Sequence, residues 1–333
     1  MHRHELGSSV ASTRRALLAV IAAGALATAC GQVGELQARK AFKDANQKYQ
    51  SGDYKAASEL YEETIKANPG ESRAYFYLGN SYENQFKAAK KGEPANDEFL
   101  NKAVKNYELS AQKLANATDP NDKLLARRSL EYLALVYGAD KLNDPSKAEP
   151  IVQKMIDIDP SEPTNYFALA KIYEDAGDYD RAEATYLKAK DAKPNDPLVY
   201  TTLATYYNNQ HMFDKTMQAL EMRAEKDPTN PEAYQTIASY YWDETRKDKK
   251  LNADQKRDYI LKGLEASDKA IQLKADYSEA IAFKGLLLRE QAALEKDAAK
   301  QKALIDEAVK LSQRANDIRQ KQTAEPAAKG KSS

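Results

Sequence analysis

Residues able to do covalent or metal chemistry are few and far apart in this sequence. It holds three histidines, His2, His4 and His211, and one cysteine, Cys30, among 333 residues. A structural or catalytic zinc site needs three or four ligands, and a Ser-His or Cys-His pair needs an imidazole beside its nucleophile. His2 and His4 fall in a segment that reads as a leader, so His211 is the one imidazole left in the body. A single cysteine excludes an intrachain disulfide. Carboxylates are plentiful, and a pair of them could drive a hydrolase. They fall, however, on the polar faces of a repeating pattern that fills the chain, which leaves no stretch for a catalytic domain. No cofactor-binding motif is present. Lys87, Lys90 and Lys91 form one basic run, and Arg246, Lys247, Lys249 and Lys250 form another. They could meet an acidic partner or lipid headgroups, but such runs usually mark solvated loop tips. Basic and acidic residues balance at 50 each, which does not point to nucleic acid.

The start of the chain reads as an address. Arg14 and Arg15 precede an apolar run from Ala16 to Ala29. That run is shorter than the roughly 20 residues that span a bilayer, and it fits the apolar core of a signal peptide. It ends in LATAC, which resembles a bacterial lipobox with Cys30 as the lipidated mature N-terminus; the usual leucine position holds Ala27, with Leu26 one step back. The competing reading is an A-x-A cleavage site at Ala27-Thr28-Ala29, which gives a secreted soluble periplasmic protein. The pair Arg14-Arg15 also resembles a twin-arginine export signal. Among such lipoproteins an aspartate after the cysteine implies inner-membrane retention. Gly31 stands there, so the resemblance implies an outer-membrane lipoprotein facing the periplasm. Removing residues 1–29 takes three basic residues (Arg3, Arg14, Arg15) and one acidic residue (Glu5), leaving a net charge of −2. Asn116-Ala117-Thr118 has the form of a glycosylation triplet, idle behind a bacterial leader.

The body is periodic. Pro160, Pro194 and Pro228 are 34 residues apart, as are Pro163, Pro197 and Pro231. In that register Tyr166, Tyr200 and Tyr234 share a column, as do Ala170, Ala204 and Ala238, and Tyr173, Tyr207 and Tyr241. Gly177-Asp178-Tyr179 recurs as Gly52-Asp53-Tyr54. Apolar residues at steps of three and four mark one face of a helix. Ala170 and Ala182 let paired helices approach closely, Gly177 closes the first helix, Asp178 can cap the second, and a proline ends it. This pattern resembles the tetratricopeptide repeat, a helix-turn-helix unit. The resemblance implies an all-α solenoid with a right-handed superhelix, about seven repeats and about 14 helices. The repeats start near 38, 72, 129, 163, 197, 231 and 278 and cover 38–318, after a short tether at 30–37. The second, sixth and seventh repeats carry insertions, which predict lengthened helices on both sides of the hairpin. Residues 319–333 read as a disordered tail.

In the family that this chain resembles, the first helix of each repeat lines a concave groove through positions 2, 5, 6, 9, 12 and 13. The matching residues in the first half are Phe42, Asn46, Tyr49, Phe76, Tyr77, Asn80, Leu130, Leu133 and Tyr137. The second half offers Thr201, Thr202, Thr205, Asn208, Gln235, Thr236, Ser239 and Trp242. Asn46 and Asn80 sit at position 9, where family members that grip peptides use asparagine to bond the ligand backbone. The competing reading is that the aromatics pack between repeats. The known clamp for carboxylate-terminated peptides needs basic residues where this chain has Leu130 and Ala134. The functional expectation is a non-enzymatic, membrane-anchored scaffold of the bacterial envelope. It would bind a peptide or helix of another envelope protein in the groove and touch the membrane only through its N-terminal lipid. A periplasmic peptide or small-ligand receptor is the alternative, and a carboxylate-based hydrolase is a remote one.

Overall fold

A computed structural model of the chain describes residues 33–329, with side chains described through 323. The leader, Cys30 and the first two tether residues therefore lie outside the described residues. All regular structure among those described is helical. Fourteen α-helices follow one another: α1 (33–50), α2 (Tyr54–Ala67), α3 (Ser72–Glu83), α4 (Pro94–Lys113), α5 (Pro120–Tyr137), α6 (Pro145–Ile158) and α7 (Pro163–Asp175), then α8 (Tyr179–Ala192), α9 (Pro197–Asn209), α10 (Phe213–Lys226), α11 (Pro231–Lys247), α12 (Ala253–Leu273), α13 (Ser278–Leu294) and α14 (Ala298–Lys329). They form seven consecutive hairpins. Two compact units divide the chain: the first runs to Pro160 and takes in Ala168–Ala182, and the second takes in Ser161–Phe167 and resumes at Glu183.

The helix boundaries follow from local chemistry. Asp53, Asp119, Asp144 and Asp196 accept bonds from backbone amides of the first turns of α2, α5, α6 and α9. Asn252 and Gln255 make a reciprocal capping box on α12. Proline occupies the first turn of α4, α5, α6, α9 and α11, where its missing amide is harmless. Hairpin corners reuse one backbone geometry. Gly177 has φ +76° and donates to the Glu174 carbonyl at 3.0 Å, and the Asp178 amide donates to the Tyr173 carbonyl at 2.8 Å. One period on, His211 has φ +58°, its amide donates to the Asn208 carbonyl at 3.0 Å, and the Met212 amide donates to the Tyr207 carbonyl at 2.9 Å. His211 is thus an exposed residue holding a glycine-type corner.

Small residues sit where helices meet. Ala57, Ala103, Ala170 and Ala182 are fully buried, and the Tyr107 ring passes within 3.0 Å of where a Gly79 side chain would begin. Asp178 caps α8 as expected, its carboxylate accepting from the Arg181 amide at 3.1 Å.

Three expectations need correction. Both helices do lengthen in the sixth repeat, where α11 and α12 have 17 and 21 residues against 13 and 14 in α9 and α10. In the second repeat α3 stops after 12 residues, because the Asn84 amide donates back to the Asn80 carbonyl at 2.8 Å and ends the helix. The insertion becomes a loop with a 3-10 turn at Ala88–Lys90. Buried Asn96 plugs it, accepting from the Lys87 amide and donating to the Lys87 and Lys90 carbonyls. The third repeat's first helix begins at Pro120, not near Ser129, because Asp119 caps it there. Finally, α14 continues to Lys329, past the 318 boundary where a disordered tail was expected to begin.

Candidate partner-binding surfaces

The aromatic half of the expected groove belongs to the first unit, and most of it is core. Phe76, Asn80, Leu133 and Tyr137 are buried, at 4–7% exposure. Phe76 packs its ring against Tyr77, Tyr107 and Tyr132 at 5.3, 5.8 and 5.7 Å. Half-buried Phe42, Tyr49 and Tyr77 join the cluster around Tyr61, which stacks on Tyr77 at 5.8 Å. Burial pushes the Tyr49 phenol up to about 12, and it raises Tyr61 and Tyr107 as well.

The two asparagines assigned to a ligand backbone hold tyrosines instead. The Tyr61 hydroxyl donates to Asn46 at 2.7 Å. Asn80 accepts from the Tyr49 hydroxyl at 2.7 Å and from the Asn84 amide at 2.9 Å, and it donates to the Tyr107 hydroxyl at 3.2 Å. Asn80 is therefore a buried crosspiece among α1, α3 and α4, and its carbonyl oxygen has two donors already. The reason is spacing: position 9 faces neighbouring helices of its own hairpin and, for Asn80, of the preceding one, whose tyrosines are long enough to reach it.

In the second unit the expected face stays open. Thr205 and Asn208 are exposed on α9, and Gln235, Thr236, Ser239 and Trp242 are partly exposed on α11. The hydroxyls of Thr201, Thr202, Thr205 and Thr236 each donate to the carbonyl four residues back, so their outward lone pairs remain as acceptors. Trp242 has its edge against Phe283 at 5.7 Å and the Arg246 guanidinium over its ring at 4.8 Å.

A second regularity was not anticipated. Tyr173 donates to Glu149 at 2.8 Å while Arg181 lies over its ring at 4.3 Å. Tyr207 donates to Glu183 at 3.0 Å while Lys215 lies over its ring at 5.2 Å and bonds Glu183 at 2.6 Å. The three residues of the second set each lie 34 positions after those of the first. Lys215 first, then Tyr207, holds the Glu183 carboxyl below its ordinary range. Tyr82 with Glu62, and Tyr241 with Glu221, bond alike. The glutamate was invisible in the period because it occupies a polar position that packing does not constrain.

Neither basic run forms a concentrated cationic site free of acids. Lys90 pairs with Glu93, and Lys91 donates to the Ala139 carbonyl at 3.0 Å, which braces the loop. Lys247 pairs with Asp243, and Arg246 faces Glu290 at 3.9 Å. Among the described residues no group of histidine, cysteine and carboxylate side chains could hold a metal, and no helix is long and apolar enough to cross a membrane.

Seven helical hairpins with recurring corners, small-residue contacts and inter-hairpin bonds define a helical-repeat solenoid. Models of the tetratricopeptide repeat match residues 42–111 and 141–206. These matches and the repeat geometry support a tetratricopeptide-repeat protein. No curated protein matches it in sequence. Among solved structures it resembles the C-terminal part of a TPR repeat-containing protein from Cytophaga hutchinsonii, with 17% identity over 83% of this chain and 98% of that one and a TM-score of 0.53. That likeness shows the fold. The MamA protein aligns at 17% identity over 58% of this chain and 92% of its own, with a TM-score of 0.41. YrrB, described as a TPR protein with an unusual peptide-binding site, aligns at 14% identity over 56% and 85%, with a TM-score of 0.35. The repeat fold supports a role as a protein-protein interaction scaffold, and such repeats typically serve as non-enzymatic modules.

Proposed function

We propose that this chain is a lipid-anchored, non-enzymatic scaffold of the bacterial envelope that grips a segment of a partner protein on the open face of α9 and α11. The observation that carries the reading is the partly exposed Trp242 of α11, with Arg246 stacked on it, together with exposed Thr205 and Asn208 on α9. Tryptophan and arginine are the residues on which interface energy concentrates, and the threonine and amide groups can bond a partner's main chain. The anchor rests on the apolar run before Cys30 and on the placement of the chain's one cysteine at its end.

Two experiments test this. Radioactive palmitate should label the wild-type protein and not Cys30→Ala; an unlabelled wild type refutes the anchor. A photo-crosslinker placed at Thr205 in living cells should give one discrete adduct that Trp242→Ala abolishes, whereas a crosslinker at exposed Glu225 should give none. Equal adducts at both positions, or a small molecule co-purifying in place of a protein, refute the scaffold reading.

A further inference from the structure

A cavity of about 730 Å³ lies in the first unit, between the C-terminal ends of α4 and α6 and the N-terminal half of α5. It exists because the chain departs from its own period. The Asp119 cap starts α5 early, giving it 18 residues against 14 in α6. The extra residues make the first turn of α5 overhang its hairpin partner by roughly 6 Å. That turn, with the end of α4, presents apolar surface that no following helix of the hairpin covers.

The lining has a definite chemistry. Leu114, Leu124 and Leu130 form an apolar floor, and Ile158 stands at the mouth with 61% of its surface exposed. Alanines, Ala115 and Ala126 among them, keep the walls low enough for another backbone to approach. The rim is basic: it carries Lys123, Arg127 and Lys154 against one carboxylate, Asp159. Among the described residues Lys123 and Lys154 make no ion pair, and exposed Arg127 has only its partly exposed neighbour Glu131 at 3.2 Å. Lys123 and Arg127 are one helical turn apart, so they match carboxylates spaced a turn apart on a facing helix.

We propose that this groove is a second docking surface, distinct from the Trp242 face, and that its occupant is an amphipathic helix of a partner protein with an apolar stripe flanked by glutamates or aspartates. The stripe fills the floor against Ile158, and the acidic flanks pair with the rim. Complementary charge sets both the register and the choice of partner.

The test uses the full chain and two fluorescent synthetic helices with the same leucine stripe, one flanked by glutamates and one by lysines. The acidic helix should bind saturably and weaken with salt, and the basic helix should bind at least about tenfold less tightly. Lys123→Glu with Lys154→Glu should reverse that preference. Ile158→Asp should weaken the acidic helix by about tenfold or more. These side chains are exposed, so an unchanged thermal melt verifies folding. Trp242→Ala should leave acidic-helix binding intact, which separates this proposal from the face proposed above. Equal binding of the two helices, no binding, or indifference to the rim reversal overturns the proposal. So does loss, in the same variants, of binding to phosphatidylglycerol vesicles or of self-association while helix binding persists unchanged.

Discussion

Replacing Asn80 with alanine separates a structural asparagine from a ligand-gripping one. The substitution removes three hydrogen bonds inside the first unit: those with the Tyr49 hydroxyl, the Asn84 amide and the Tyr107 hydroxyl. Asn84 keeps its bond to the Asn80 backbone carbonyl, and Tyr107 keeps Glu83 as its acceptor. The half-buried Tyr49 hydroxyl keeps nothing in its place. A typical net value of about 1 kcal/mol per bond applies to the Tyr49 and Tyr107 contacts, and the exposed Asn84 contact adds less. Truncating a side chain that is 5% exposed adds lost packing. The expected cost is about 2–3 kcal/mol, concentrated in α1, α3 and α4. Repeat arrays need not unfold in one step, so urea unfolding should be paired with hydrogen exchange resolved by helix. Amides of α3 should lose protection while those of α11 keep it. Asn208→Ala, on the exposed face of α9, should stay within about 0.5 kcal/mol of the parent. An Asn80→Ala protein with unchanged exchange in α3 and a lost partner would refute this account and restore the ligand role.

Gly177→Ala places a side chain at φ +76° with no atom nearby to clash, so its cost of about 1–2 kcal/mol should come from the backbone alone and appear in urea unfolding. Ala182→Leu forces a larger side chain into a fully buried contact and should cost about 1–3 kcal/mol, and an unchanged melting temperature would count against the register. Burial raises the phenols of Tyr49, Tyr61, Tyr107 and Tyr241 in the folded chain above the ordinary value of 10.0. The protonated phenols are favoured by folding, so this stability is fully present below pH 10 and is lost as the pH rises above it toward the folded values. Tyrosinate absorbance and circular dichroism should therefore change together in alkali, and Tyr49→Phe should hold its fold to higher pH relative to its own neutral stability.

The period carried most of the fold. Pro163, Pro197 and Pro231 begin helices where the spacing placed them, because proline at a first turn has one compatible use. The failures came where the period lapses. Nothing in the columns revealed that Asn84 would end α3 or that Asp119 would start α5 early, since both act through a side-chain bond to the backbone that any polar loop could have offered. The site was less legible than the fold. A tyrosine at a groove position and a tyrosine in a core look alike in sequence, and Asn80 changes meaning once Tyr49 and Tyr107 reach it from two other helices. The Asp-Pro pair at Asp119-Pro120 was the one available signal for the groove on α5.

The paired triads of Tyr173 with Glu149 and Arg181, and of Tyr207 with Glu183 and Lys215, have a genetic consequence. Because each partner recurs at the same offset, losing one whole period from the gene would set Tyr207 opposite Glu149 with Lys215 beside it, the same chemistry at the new seam. Gene slippage by whole periods is therefore buffered against a broken junction there, whereas slippage between these partners by a fraction of a period breaks the offset that brings the glutamate to its phenol. At this pair of joints the number of modules can change while the bonded chemistry stays the same.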